Sequence, residues 1–191
     1  MSFTPIDASN TGEAVRILAA AFRDDPVINW TGNNPRTLEP FFEITLPVFI
    51  PHQLCYLDPQ GRGAAAWLGP DQKLKWPVSF ASAAKVMRLG GAKGVYRMML
   101  SGMKTEHYHP KTPHYYLFAI GVTPESKGRG LGTALISEVL RRCDAEGMPA
   151  YLENSKAENL PFYAGHGFKV LQQIRFAASA PPVWLMWREP L

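Results

Sequence analysis

Cysteine is scarce in this sequence: Cys55 and Cys143 are the only two in 191 residues. Two thiols are too few for a disulfide scaffold or a zinc site. Cys55 lies in an apolar run and Cys143 in a helical pattern, so both read as buried free thiols. No segment reaches the roughly 18 consecutive apolar residues that a membrane-spanning helix needs. Asp7, Glu13 and Arg16 interrupt the N-terminal region, which therefore does not read as a secretory leader and predicts a reduced, cytoplasmic setting. Lys and Arg never run longer than two in a row, and the net charge is only +4, so a nucleic-acid partner is not indicated. Charged residues make up 19%, too few for a disordered chain, while 46% hydrophobic content supplies a core for one domain spanning residues 1–191. There is no repeat, low-complexity tract or interdomain linker.

What is present centres on residues 115–168. Tyr115–Val122 is an apolar run rich in aromatic and β-branched residues, with the length of a buried strand. Thr123-Pro124-Glu125-Ser126 breaks it, and a basic, glycine-rich turn follows, Lys127-Gly128-Arg129-Gly130-Leu131-Gly132. An apolar helical stripe at Leu131, Ala134, Leu135, Val139 and Leu140 then runs to Gly147. Strand, glycine turn and helix together form a device for holding phosphate. The first helical turn has unpaired N–H groups and the positive end of the dipole, and glycines let an anion approach them. Lys127 and Arg129 add charge at the same place.

Two familiar phosphate motifs do not fit. A P-loop needs Lys before Ser/Thr, and no Lys precedes Thr133; a dinucleotide fingerprint needs Gly-x-Gly-x-x-Gly, whereas the order here is Gly-x-Gly-x-Gly. Lys127-x-x-Gly130-x-Gly132 instead resembles the Gln/Arg-x-x-Gly-x-Gly/Ala signature of the GCN5-related N-acetyltransferases (GNAT). Val122-x-Pro124 stands before the turn at that family's usual place. Tyr151–Ser155 reads as the next strand, and Asn159-Leu160-Pro161-Phe162-Tyr163-Ala164-Gly165-His166-Gly167-Phe168 is similar to the family's last motif. The resemblance covers roughly residues 114–176 and is nearest to the branch containing puromycin N-acetyltransferase. Lys127, where Gln or Arg is usual, keeps the charge but loses the planar donor group.

The remaining chain predicts a mixed α/β protein. Ser2–Ile6 reads as a short edge strand, with N-cap candidates at Asp7–Asn10 ahead of a helix carrying Ala14, Val15, Ile17, Leu18, Ala21 and Phe22. Asp24-Asp25-Pro26 ends that helix, and Asn33-Asn34-Pro35 starts another carrying Leu38, Phe41, Phe42, Thr45, Leu46 and Phe49, with Pro40 and Pro47 distorting it. His52–Leu57 and Gly63–Leu68 read as a hairpin. In 71–113, Val78–Leu89 and Val95–Lys104 read as two helices parted by Gly90, Gly91 and Gly94, with Met87, Met98, Met99 and Met103 as core filler or as an adaptable acceptor wall. Lys169–Ala177 and Val183–Trp187 read as closing strands, whose exposed face leaves a homodimer open.

The resemblance implies a strongly bent mixed sheet flanked by helices, with the cofactor strand splayed from the next strand. It implies acetyl-CoA as cofactor, a variable helical acceptor-side region at 71–113, and a cofactor-binding core at 115–168. Ile120, Gly121 and Val122 would offer main-chain groups to the pantetheine arm, and Lys127, Gly128, Arg129, Gly130, Leu131, Gly132 and Thr133 would hold the pyrophosphate. Asn159 would support the pantetheine, or cap a helix, and Tyr163 would be the acid facing the sulfur. The strand Tyr115–Val122 has no carboxylate, although several related enzymes carry their base there. Glu153 is the first candidate base, His114 the second, and His107 and His109 follow. His107-x-His109 lacks a third ligand at sensible spacing, so no metal site is predicted. Asp25 is placed to attract a cationic amine, and His166 reads as a favourable cation at a helix end. The activity implied is direct transfer of an acetyl group to a primary amine of a small molecule in a ternary complex. A non-catalytic acyl-CoA sensor and a protein-lysine acetyltransferase are the alternatives.

Overall fold

The computed structural model describes residues 2–32, 35–70, 72 and 80–191. In chain order these form β1 (Thr4–Pro5), α1 (Thr11–Ala21), α2 (Pro26–Gly32), α3 (Leu38–Phe49), β2 (Cys55–Leu57), β3 (Gly63–Leu68) and α4 (Phe80–Tyr108). There follow β4 (Tyr115–Val122), α5 (Leu131–Glu146), β5 (Ala150–Asn154), α6 (Leu160–Gly165), β6 (Lys169–Arg175) and β7 (Pro182–Arg188). The strands make one seven-stranded sheet in the order β1-β2-β3-β4-β5-β7-β6. Its one parallel pair is β4 with β5, and the other neighbours are antiparallel. The fold is thus a mixed α/β sheet with helices on both faces.

Alternation along the strands sorts the core into two layers. Tyr116 and Tyr151 point to the side of α1 and α3, where they join Leu18, Phe42 and Leu46. Tyr115, Leu117 and Leu152 point to the side of α5, joining Leu135, Ile136 and Val139. Burying each large side chain of this kind contributes roughly 1.5–3 kcal/mol. Helix α5 has its apolar stripe at Leu131, Leu135, Ile136, Val139, Leu140 and Cys143, and Gly147 in the left-handed region (φ 63°) ends it.

Two local features open the sheet at its middle. The β4–β5 register runs only through Tyr115↔Ala150, Tyr116↔Tyr151 and Leu117↔Leu152. On the other edge of β4, Leu117 opposes Trp67 and Ala119 opposes Ala66, so Phe118 is an unopposed extra residue. A bulge bends a strand and increases its twist. Here it falls where β4 parts from β5. Beyond it, Gly121 lies under α1, and a Cβ there would stand 2.5 Å from that of Ala21. Glycine is required by this close approach of helix to strand.

Several expectations need correction. Asp25 does not simply end the first helix. It begins α2, a helix the sequence pattern did not reveal, by accepting bonds from Val27 N and Ile28 N, each at 2.9 Å. The two helices expected in 78–104 are present, by contrast, and α4 is the pair of them joined across a kink at Gly91 (φ 62°, ψ −178°). Val78 lies outside the described residues, as do Asn33 and Asn34, expected at a helix start. Met87, Met99 and Met103 are 48%, 63% and 69% exposed, so they are not core filler. The hairpin strand expected at 52–57 shortens to β2 because Ile50–His52 continues α3 as a 3₁₀ turn. Strand β6 is an edge, and its exposed Val170 and Leu171 sit at a register shift.

Candidate active site

The parted strands and the glycine turn enclose a cleft of about 640 Å³. One wall is β4 from Leu117 to Val122, and the other is the end of β5 from Leu152 to Asn154 with Ser155 and Lys156. Lys127, Gly128, Gly130, Leu131, Gly132 and Thr133 close one end; Ala21, Phe22 and Asp25 stand at another, and Asn159, Phe162 and Tyr163 come from the α6 segment.

The phosphate end follows from local geometry. Pro124–Ser126 makes a 3₁₀ turn after β4, and Gly128 and Gly130 then take left-handed backbone angles, φ 74° and 77°. Gly130 is the N-cap of α5 and supplies no side-chain cap. The first-turn N–H groups of Leu131, Gly132 and Thr133 lie beyond it, and those residues line the cleft. A Cβ on Gly130 would meet nothing within 4 Å, so the space over the turn is open. Uncapped donors, helix dipole, an open cradle and the neighbouring Lys127 fit the phosphates of coenzyme A. Arg129 is exposed and does not line the cleft, in contrast to Lys127.

The β4 wall fits the rest of that molecule. Past Leu117 the β5 side of β4 has no strand partner, while its other side stays paired with β3 up to Val122. Main-chain groups of Phe118–Val122 are therefore left as an open sheet edge, the kind of edge an extended ligand can pair with. Asn159 precedes α6 without capping it through its side chain and lines the cleft. Tyr163 is 8% exposed. Burial first, and the charge of Asp25 second, raise its phenol pKa, so it keeps its proton at neutral pH.

Carboxylates stand on the β5 wall and at the Ala21–Asp25 end. Glu153 shares the Tyr151 face of β5, and its side chain is 13% exposed. Its Oε1 is buried without a hydrogen bond, as is Tyr151 Oη. Burial, then the Glu153 charge, pushes the phenols of Tyr116 and Tyr151 upward. Asp25 is 3% exposed and receives a hydrogen bond from Ser155 Oγ as well as the two α2 amides. Burial raises its pKa against the opposing effect of those bonds and of Lys156.

The histidines separate by position. His114 is buried and does not line the cleft; its Nδ1 is 2.6 Å from Thr112 O, and its Nε2 is 3.1 Å from His109 Nε2. His109 Nδ1 is 3.7 Å from Glu153 Oε1. His107 stacks edge-on against Tyr108, 4.9 Å between centroids, and His166 Nδ1 bonds Phe162 O at 2.7 Å at the end of α6. No cluster of three His, Cys, Asp or Glu suited to a metal occurs among the described residues. Among them no helix is long and apolar enough to cross a membrane. Sequence reasoning passed over the bulged Phe118, and over Ser155 and Lys156. The latter two carried one usable signal, polar residues just past a strand end.

Residues 54–168 match the model of the Acetyltransferase (GNAT) family. An uncharacterized N-acetyltransferase of Schizosaccharomyces pombe is 27% identical over 207 residues, covering 100% of this chain and 84% of its own length. Among solved structures, a histone acetyltransferase HPA2 and related acetyltransferase from Corynebacterium glutamicum superposes with TM-score 0.68 and 24% identity, over 100% of this chain and 98% of the other. A polyamine N-acetyltransferase of Drosophila melanogaster, which forms N-acetylagmatine, superposes with TM-score 0.70 and 17% identity, over 98% of this chain and 99% of the other.

Proposed function

Because the chain belongs to the GNAT family of acetyltransferases, we propose that it moves an acetyl group from acetyl-CoA to a primary amine of a small molecule, both bound at once in the cleft. The observation that carries this reading is the parting of β4 from β5 after Leu117↔Leu152, with the uncapped first turn of α5 at one end of the gap. When bound, the coenzyme supplies an acyl thioester open to attack by a neutral amine. The chain's own residues do the rest.

The N–H groups of Leu131, Gly132 and Thr133, with Gly128, Gly130 and Lys127, hold the phosphates, and Arg129, outside the cleft lining, adds positive charge beside the turn. Main-chain groups of Ile120, Gly121 and Val122, with Asn159, align the pantetheine arm. Tyr163 holds a proton at Oη, poised to protonate the departing thiolate. Glu153 accepts the proton of the amine, and Asp25 draws a cationic amine toward the α1–α2 corner. Two substrates held side by side gain much of their rate from proximity alone. A small cationic acceptor is supported by the acidic wall at Asp25, Glu153 and Glu158, and by the fold shared with an enzyme that forms N-acetylagmatine.

The test is release of free thiol from acetyl-CoA against a panel of polyamines, agmatine-like guanidinoamines, arylalkylamines, aminonucleosides and amino acids. Turnover with one class establishes the activity and the acceptor type. Tight binding of coenzyme A with no turnover on any amine would overturn the catalytic reading in favour of an acyl-CoA sensor.

A further inference from the structure

Beneath the cleft, two imidazoles and one carboxylate stand in line, and hydrogen-bond arithmetic fixes how their protons are arranged. A carbonyl oxygen can only accept, so His114 Nδ1, at 2.6 Å from Thr112 O, carries a hydrogen. Burial lowers the His114 pKa more than that bond raises it, which leaves its Nε2 a bare acceptor at neutral pH. His109 Nε2, 3.1 Å away, must then be the donor of that contact. The remaining nitrogen of a neutral His109, Nδ1, is a lone pair, and it faces Glu153 Oε1 across 3.7 Å. Two acceptors face each other there, one of them a buried oxygen that makes no close hydrogen bond, with the phenols of Tyr116 and Tyr151 as the nearest other donors. A proton placed between them, on either side, turns this contact of two acceptors into an attraction.

We propose that Glu153 and His109 form a one-proton seat that takes the acceptor amine's proton out of the cleft, with His114 as a positioning residue that locks the His109 tautomer. This rests on the acetyltransferase reading above and extends it. An N–H bond of the bound ammonium breaks as an O–H bond forms on Glu153. That O–H bond then breaks as an N–H bond forms at His109 Nδ1, making an imidazolium beside a carboxylate. Water removes the proton at the His109 edge, where the side chain is 31% exposed. No other reactant is needed.

The surroundings favour this path. Tyr116 of β4 and Tyr151 of β5 pack edge-on against His109 at 4.9 and 5.1 Å, and Trp187 of β7 covers His114 at 5.6 Å. These phenols are the other titratable groups facing the seat, and both are held protonated by burial and the Glu153 charge. They therefore do not compete for the proton.

The first test uses the full chain without substrate, with ¹⁵N-labelled histidine followed by NMR across pH 5–9. His114 is expected as the Nδ1–H tautomer and neutral His109 as the Nε2–H tautomer. Glu153→Gln is expected to change the ¹⁵N shift of His109 Nδ1, which faces the altered group at 3.7 Å. An Nε2–H tautomer at His114, or a His109 Nδ1 signal unmoved by Glu153→Gln, would overturn the seat whatever the enzyme's activity. The second test follows kcat/KM against pH. In His109→Ala, kcat is expected to fall about tenfold or more, the acid limb to move, and added imidazole to restore rate. A purely structural role for His109 would change neither the limb nor the response to imidazole, and that result would also overturn the relay. Absence of acetyl transfer by the wild-type chain would count against the proposed activity, while the NMR arm judges the seat independently.

Discussion

Ser155, just past β5, donates its hydroxyl hydrogen to Asp25 Oδ2 at the α1–α2 corner, joining two points 130 residues apart in the chain. The bond spans the Ala21–Asp25 end of the cleft and ties α2 to the parted strand. The same carboxylate caps α2 through Val27 N and Ile28 N. Asp25 is therefore a structural tie and a buried negative charge at once, and its raised pKa records the cost of that burial.

Asp25→Asn separates those roles. A carboxyl whose folded pKa is raised binds its proton more tightly when folded, so stability falls as pH rises from the unfolded value through the folded one. Removing the charge while keeping the cap should raise Tm at pH 7 and flatten its dependence on pH above about 4. It should also raise KM for a cationic amine about tenfold, with a smaller effect on coenzyme A affinity. A lower Tm would contradict the burial cost, and an unchanged KM would remove Asp25 from the acceptor site.

Tyr163→Phe should lower kcat about 100-fold while leaving the coenzyme A Kd within about threefold, since the ring and its packing remain and only the proton donor is lost. Isothermal calorimetry and steady-state kinetics on the same preparation check this. Unchanged turnover would assign the thiolate's proton to another group.

Gly130 carries φ 77° and stands over open space. Gly130→Val should cost about 1–2 kcal/mol from left-handed backbone strain and should abolish coenzyme A binding. Gly130→Asn distinguishes strain from obstruction, because Asn tolerates that backbone region but still carries a Cβ. Calorimetry should show Gly130→Asn folded, with its coenzyme A Kd weakened about tenfold or more. Normal binding by this variant would sink the cradle.

Arg188, 2% exposed, forks onto both oxygens of Asp144 at 2.7 and 2.9 Å and donates to His166 O at 2.8 Å. This guanidinium holds the Asp144 carboxyl below its usual range. A depressed carboxyl contributes stability above the unfolded value, and that stability is lost as pH falls through the folded one. Arg188→Met should cost about 1–3 kcal/mol at pH 7. Its Tm deficit should shrink as pH drops below about 4, where the pair is already breaking in the parent. A deficit constant from pH 7 to 2 would contradict this.

The stretch from β4 through α5 was legible because its signals are local: an apolar run, glycines with left-handed angles at Gly128 and Gly130, and a helical stripe ended by Gly147. Strand β3 was legible at its full length, Gly63–Leu68, for the same reason. Helix α2 was not, since seven residues without a buried side chain leave no periodic trace and depend on the Asp25 side chain for their start. The bulge at Phe118 shows only in the register with β3. The approach of His109 to Glu153 joins residues that no spacing rule relates. Sequence reasoning could rank the candidate bases singly but could not see that two of them face each other.

The contact of Gly121 with Ala21 carries a last consequence. Where helix and strand meet with a single methyl group between them, that contact has no rotamer by which to adjust its spacing. Any enlargement at either position would act as a wedge, prising α1 away and changing the breadth of the gap that β4 borders. The breadth of that gap is thus set by two small residues, and a search for variants with a wider cleft should begin at Ala21.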